Sequence, residues 1–108
     1  MEVHNTLGHG FLEIVYKDAI EHEVRKRQFN YCREREYLIQ YKEIILPHKF
    51  FADFVLFDSI ILEVKAVEGG ISDDFVSRML NYLKVSKCKV GLIVNFGRSS
   101  LEHRRLIM

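Results

Sequence analysis

The sequence predicts an α/β sandwich, and three observations carry that prediction. Gly8-His9-Gly10 opens an amphipathic helical pattern that runs to about Gln28. Two strongly apolar stretches, Phe50 to Phe57 and Ile60 to Val67, follow each other in the middle of the chain. A capped second helical pattern then leads into another apolar run, Lys89 to Phe96. Helix, strands, helix and strand within 108 residues imply layers packed around one core, read as a single domain over residues 1–108.

In the first helical stretch Leu12, Val15, Tyr16, Ala19 and Ile20 form an apolar arc, and Lys17, Asp18, Glu21 and Arg25 fall opposite. At about 100° per residue, Glu13 lies on the edge of that arc beside Ile20 and Val24, so its carboxylate is expected to be partly buried. Tyr16 follows one turn on, on the same side. Residues Glu36 to Tyr41 and Ile44 to Leu46 read as strands, with Lys42-Glu43 as the turn between them. Phe50 to Phe57 and Ile60 to Val67 are apolar on both faces, as central strands covered on each side must be. Glu68-Gly69-Gly70 breaks the second of these strands. Ser72 then caps a helix over Asp73 to Ser86, and Asp73 and Asp74 suit the positive end of its dipole. Phe75, Val76, Met79, Leu80 and Leu83 are its expected buried residues. Arg78 and Tyr82 flank them at i, i+4 and so can act together. Gly97 ends the Lys89 to Phe96 strand, and Leu101 to Met108 reads as a last edge strand.

Composition narrows the function classes. Hydrophobic residues make up 48% and charged residues 29%, which excludes wholesale disorder. The net charge is +1, so no global basic signature for nucleic acid exists. Basic residues do cluster locally: Arg25-Lys26-Arg27, Arg33 with Arg35, Lys84 with Lys87 and Lys89, and Arg104-Arg105. Such clusters are solvated faces by default, and phosphate contacts are the sharper alternative. Cys32 and Cys88 lack metal-ligand spacing and suit a reducing compartment. No apolar run approaches the roughly 20 residues that span a bilayer, and the amino terminus lacks a secretory profile. The expectation is a cytoplasmic protein without a membrane partner.

The chemistry concentrates where the two apolar strands meet. Asp53 lies within the first, and the second ends in Glu63-Val64-Lys65. Side chains alternate along a strand, so Glu63 and Lys65 share a face. Acids are seldom buried unless they are paired or bind a metal. An Asp, a Glu and a Lys converging there would hold a divalent cation with an ammonium beside it, as phosphodiester hydrolysis requires. The plainer alternative is a Glu63–Lys65 salt bridge where the strand leaves the core. Parity supplies a condition. A two-residue loop at Asp58-Ser59 would set Asp53 opposite Val64. Asp53 and Glu63 share a face only with an odd loop such as Phe57-Asp58-Ser59, or with a bulge.

Gly10-Phe11-Leu12-Glu13-Ile14-Val15-Tyr16 fits the pattern G-x-x-E-x-x-Y. With Val3-His4-Asn5-Thr6-Leu7-Gly8, Ala52-Asp53, Leu62-Glu63-Val64-Lys65-Ala66-Val67, Leu80-Asn81-Tyr82-Leu83 and Val90 to Gly97 in order, the chain resembles the GxxExxY proteins, a branch of the PD-(D/E)XK nuclease superfamily. The resemblance implies a restriction-endonuclease-like core, a mixed central sheet of about four to five strands flanked by helices. It implies a Mg2+ (or Mn2+) cofactor and DNA or RNA as substrate. Asp53, Glu63 and the Val64 carbonyl would be metal ligands, with Glu13 approaching from the first helix. Lys65 would orient or deprotonate the attacking water, and Arg78, Tyr82 and Tyr16 would form the substrate-binding set.

The chain departs from the family pattern twice. Many relatives carry glutamine at the position of Arg78. Arginine accepts no hydrogen bond, but it grips a phosphate or pairs with a site acid. Relatives also carry about another helical turn or two before Val3-His4, whereas this chain begins at Met1-Glu2. A shortened first helix would leave apolar surface that favours a homodimer. His4 and His9 read as surface or capping residues rather than ligands. The reading is a metal-dependent nuclease, and the alternative is a non-catalytic module that keeps the fold and binds nucleic acid or protein.

Overall fold

The structure, a computed structural model, describes residues 2–108, and Met1 lies outside them. In chain order the elements are α1 (Glu2–Leu7), α2 (Glu13–Lys26), β1 (Tyr31–Tyr37), β2 (Gln40–Tyr41), β3 (Ile44–Ile45), β4 (Phe50–Leu56), β5 (Ile60–Lys65), α3 (Asp73–Ser86), β6 (Val90–Asn95) and β7 (Glu102–Ile107). Five strands form one sheet in the order β1-β4-β5-β6-β7, while β2 and β3 pair separately as a hairpin. Only β5 and β6 run parallel. The helix α3 supplies the crossover that a parallel pair needs. No helix among the described residues is long and apolar enough to cross a membrane.

Both faces of the central strands are covered, as their apolar patterning predicts. Tyr16, Ile20 and Val24 of α2 pack on Phe54, Leu62, Val64 and Val94. On the opposite face Met79 and Leu83 of α3 pack on Ala52, Val55, Ile61 and Ile93. The Ser72 Oγ accepts the Phe75 N–H at 3.3 Å, which fixes the start of α3. Leu80, expected in the core, is 41% exposed, because Met79 and Leu83 occupy the line of closest approach.

Three differences from the sequence reading have physical causes. The short α1 lies ahead of the predicted helix, and its Val3 joins the core. The buried His4 lies 3.0 Å from the Arg98 carbonyl through Nε2, a structural role. The strand β1 begins at Tyr31 rather than Glu36, since its half-buried positions include Arg33 and Arg35 rather than apolar residues. Arg33 reaches Asp18 and Glu21, and Arg35 reaches Asp58, so acids answer these charges. Tyr16 is the third. It is fully buried and stacks on Phe96 with centroids 4.5 Å apart. Its hydroxyl donates to the Gly8 carbonyl at 2.8 Å and accepts the Phe11 N–H at 3.2 Å. The expected substrate contact at Tyr16 is therefore corrected: this side chain closes the loop between α1 and α2 and has no access to a ligand.

Candidate functional site

The β4–β5 hairpin meets the parity condition. Leu56 pairs with Ile60 and Phe54 with Leu62, so the loop is the odd one, Phe57-Asp58-Ser59. Phe57 and Asp58 both take positive φ, and the Ser59 N–H closes the turn on the Leu56 carbonyl at 3.1 Å. One further step of that register sets Asp53 across from Glu63.

The strand is irregular at that step. Ala52 and Val55 face α3, whereas Phe54 and Leu56 face α2. Strict alternation cannot put residues three apart on one face, so the strand slips at Asp53. The β1 residue opposite, Glu34, has φ +54° and drops out of the pairing. Pairing of β4 with β5 ends at Phe54–Leu62 while both strands continue. In the fork between them the Val64 N–H donates to Asp53 Oδ2 at 2.8 Å. A side chain thus takes the place of a ladder carbonyl. The N–H and C=O of a strand residue leave on the same side, so the Val64 carbonyl also projects towards β4.

Glu63 is 7% exposed, and its Oε1 is buried without a hydrogen-bond partner. Burial first, then a hydrogen bond with the Asp53 carboxyl and that group's charge, push the Glu63 carboxyl up to about 9. The ammonium groups of Lys65 and Lys17 pull it down, and do not prevail. At neutral pH this carboxyl holds a proton.

Lys17 is the residue that sequence reasoning misplaced. It is buried rather than opposite the core, 9% exposed. Its Nζ lies 2.9 Å from Asp53 Oδ1, 3.2 Å from Glu34 Oε1 and 3.4 Å from Glu13 Oε2. Burial acts to lower its pKa, but hydrogen bonds and charges from Asp53 and then Glu34 hold it above the usual lysine range. A signal was present in the sequence: at about 100° per residue, position 17 falls only about 20° from Val24, a core residue.

The remaining candidates surround this pair. Lys65 places its Nζ 4.6 Å from the Phe75 ring centroid, and its charge reaches Glu63. Tyr82 stacks on Phe50 with centroids 4.2 Å apart. Burial, then the Glu63 charge, raises its phenol pKa. Arg78 is exposed and makes no ion pair among the described residues. The cation that meets the site acids is Lys17. Sequence reasoning also missed Asn95. It is fully buried, and its amide bonds both the N–H and the C=O of Val67, at 2.9 and 2.8 Å. That anchors the chain just beyond Lys65. A Cβ on Gly97 would lie 2.3 Å from the Val67 backbone, so only glycine fits there.

Among the described residues, no three acidic, histidine or cysteine side chains are disposed to hold a metal ion by themselves. Glu13 in particular is held on Lys17. The donors present are the adjoining carboxyls of Asp53 and Glu63, the latter with one buried oxygen that has no partner, and the Val64 carbonyl. This all-oxygen set fits a hard cation such as magnesium, which takes one or two protein carboxylates and retains water.

A family model of the PD-(D/E)XK nuclease superfamily matches residues 1–106, and the chain belongs to that superfamily. The five-stranded mixed sheet between helices is its restriction-endonuclease-like core. Among solved structures, one titled "Crystal structure of SSO0001" superposes with a TM-score of 0.65 at 19% identity, over 86% of this chain and 48% of that one. The likeness is one of fold, and this chain spans about half the length of that structure. No curated protein matches the chain.

Proposed function

We propose that this protein is a divalent-cation-dependent nuclease of the GxxExxY type, hydrolysing phosphodiester bonds in DNA or RNA. One observation carries the reading: Asp53 and Glu63 adjoin at the β4–β5 fork, and a buried Glu63 oxygen there has no partner. A buried polar atom left unsatisfied costs about 1–3 kcal/mol, and a bound cation would remove that cost. Superfamily membership supports nucleic acid as the substrate class.

When bound, a divalent cation lowers the pKa of its water and offsets phosphate charge. Asp53 and Glu63 would hold it, with the Val64 carbonyl as a third oxygen. Asp53 is already oriented by the Val64 N–H. Lys65 sits on the face of Glu63 and would orient the attacking water and stabilise developing negative charge. Its ammonium rests on an aromatic ring rather than on a carboxylate, so it is free to turn to an anion. Arg78 and Tyr82 at the flank would take a backbone phosphate.

A second reading is a module that binds nucleic acid or a protein without cleaving. The grip of Lys17 on Asp53 favours it, since an ammonium already neutralises that acid. Labelled single- and double-stranded DNA and RNA, incubated with Mg2+ or Mn2+ and then with chelator, separate the readings. Cleavage that needs the cation and is lost in Asp53→Ala and Glu63→Ala supports the nuclease. Binding without cleavage at every cation concentration supports the module.

A further inference from the structure

Lys17 carries a buried charge in a protein whose function as proposed needs a cation at the same acids. A buried ammonium is costly unless its donors are all met. Lys17 has three donors and three carboxylates around it: Asp53, Glu34 and Glu13. These come from three elements or their extensions: α2 supplies Glu13, the irregular position of β1 supplies Glu34, and the slip in β4 supplies Asp53. Lys17 lies one turn from Glu13 on α2, so the helix delivers the ammonium and one acid together.

We propose that Lys17 is the resident counter-cation of this site, holding Asp53 in place when no divalent ion is bound and setting how much ion is needed to fill it. The inference rests on the metal-site reading above. Asp53 Oδ1 lies in contact with the ammonium. A divalent ion on Asp53 therefore meets a fixed positive charge a few ångströms away, and the two repel. Without Lys17, three carboxylates surround an uncompensated position. The ion-free protein then loses stability, and the ion gains affinity. Lys17 is a positioning residue and touches no reacting atom.

The test uses the intact chain as wild type, Lys17→Met, Lys17→Arg and Asp53→Asn, with folding checked by circular dichroism. Calorimetric titration with Mn2+ alone, without nucleic acid, reads affinity, and thermal melts in chelator and in Mn2+ read linkage. Lys17→Met is expected to bind Mn2+ roughly tenfold more tightly. It should melt lower in chelator and gain more from Mn2+ than wild type gains. Lys17→Arg should behave as wild type. Affinity in Lys17→Met that is unchanged or weaker overturns the inference. Should Lys17→Met not fold even with Mn2+, Lys17→Gln carries the same measurement with the same two outcomes. The two proposals fail separately. Wild-type binding lost in Asp53→Asn keeps the metal site even where Lys17→Met shows no gain. Absence of Mn2+ binding in wild type and in the Lys17 variants alike overturns both.

Discussion

Glu63→Gln should stabilise the ion-free protein while disabling the proposed metal site. The folded state holds a proton on Glu63 up to about pH 9, whereas the carboxyl in the unfolded chain releases it near pH 4.5. Between those values the native state binds the extra proton, so stability falls as pH rises, by at most about 1.4 kcal/mol per pH unit. At pH 7 the accumulated cost is about 3 kcal/mol, and at pH 5 it is under about 1 kcal/mol. Glutamine copies the shape and donor of the protonated acid without that cost. The lowered carboxylates of Glu21, Glu23 and Glu102 contribute stability that is lost only as pH falls through and below the normal carboxylate range, outside this window. The raised Lys17 contribution is lost only at alkaline pH. The difference between wild type and variant thus isolates Glu63. Urea unfolding in chelator at pH 5, 7 and 8.5 measures it. The variant should be more stable by about 1–3 kcal/mol at pH 7 and by a larger margin at pH 8.5, with a gap that narrows towards pH 5. A variant less stable than wild type at pH 8.5, or a gap that does not change with pH, refutes the reasoning.

Lys65→Ala should keep Mn2+ affinity in calorimetry and slow cleavage by roughly 10²–10³-fold, since it removes a charge but no ligand; loss of metal binding would contradict that role. Arg78→Ala should weaken nucleic-acid binding alike across sequences and flatten its salt dependence by about one phosphate contact. Mn2+ affinity should stay unchanged, because no contact joins Arg78 to the acids. Tyr16→Phe strips two hydrogen bonds from a fully buried loop closure. It should cost about 1–3 kcal/mol in chemical denaturation and leave substrate affinity alone; a selective loss of affinity would restore Tyr16 to the binding set.

The central strands and the capped α3 were legible because each depends on local pattern: apolar runs, and a serine before two aspartates. Parity set the odd hairpin loop only as a condition, and the register of the folded strands decided it. The PD-(D/E)XK superfamily was legible from ordered motif blocks, among them Ala52-Asp53 and Glu63-Val64-Lys65. The charged parts were less so. Periodicity sorts residues by hydrophobicity, and it therefore assigned Lys17 to solvent and passed over Arg33 and Arg35 as inward positions of a strand. Whether a charge can be buried depends on partners elsewhere in the chain. The helical position of Lys17 beside Val24 hinted at burial, but its partners Glu34 and Asp53 arrive from two other strands at irregular positions, and no local pattern encodes that meeting. Tyr16 shows the same division. Its place in the motif was evident, but only the packed structure decided that its hydroxyl would bond the Gly8 carbonyl and the Phe11 N–H instead of a ligand. Local sequence determined which elements form. Long-range electrostatics, settled only once the sheet and α2 meet, determined which charges share the site.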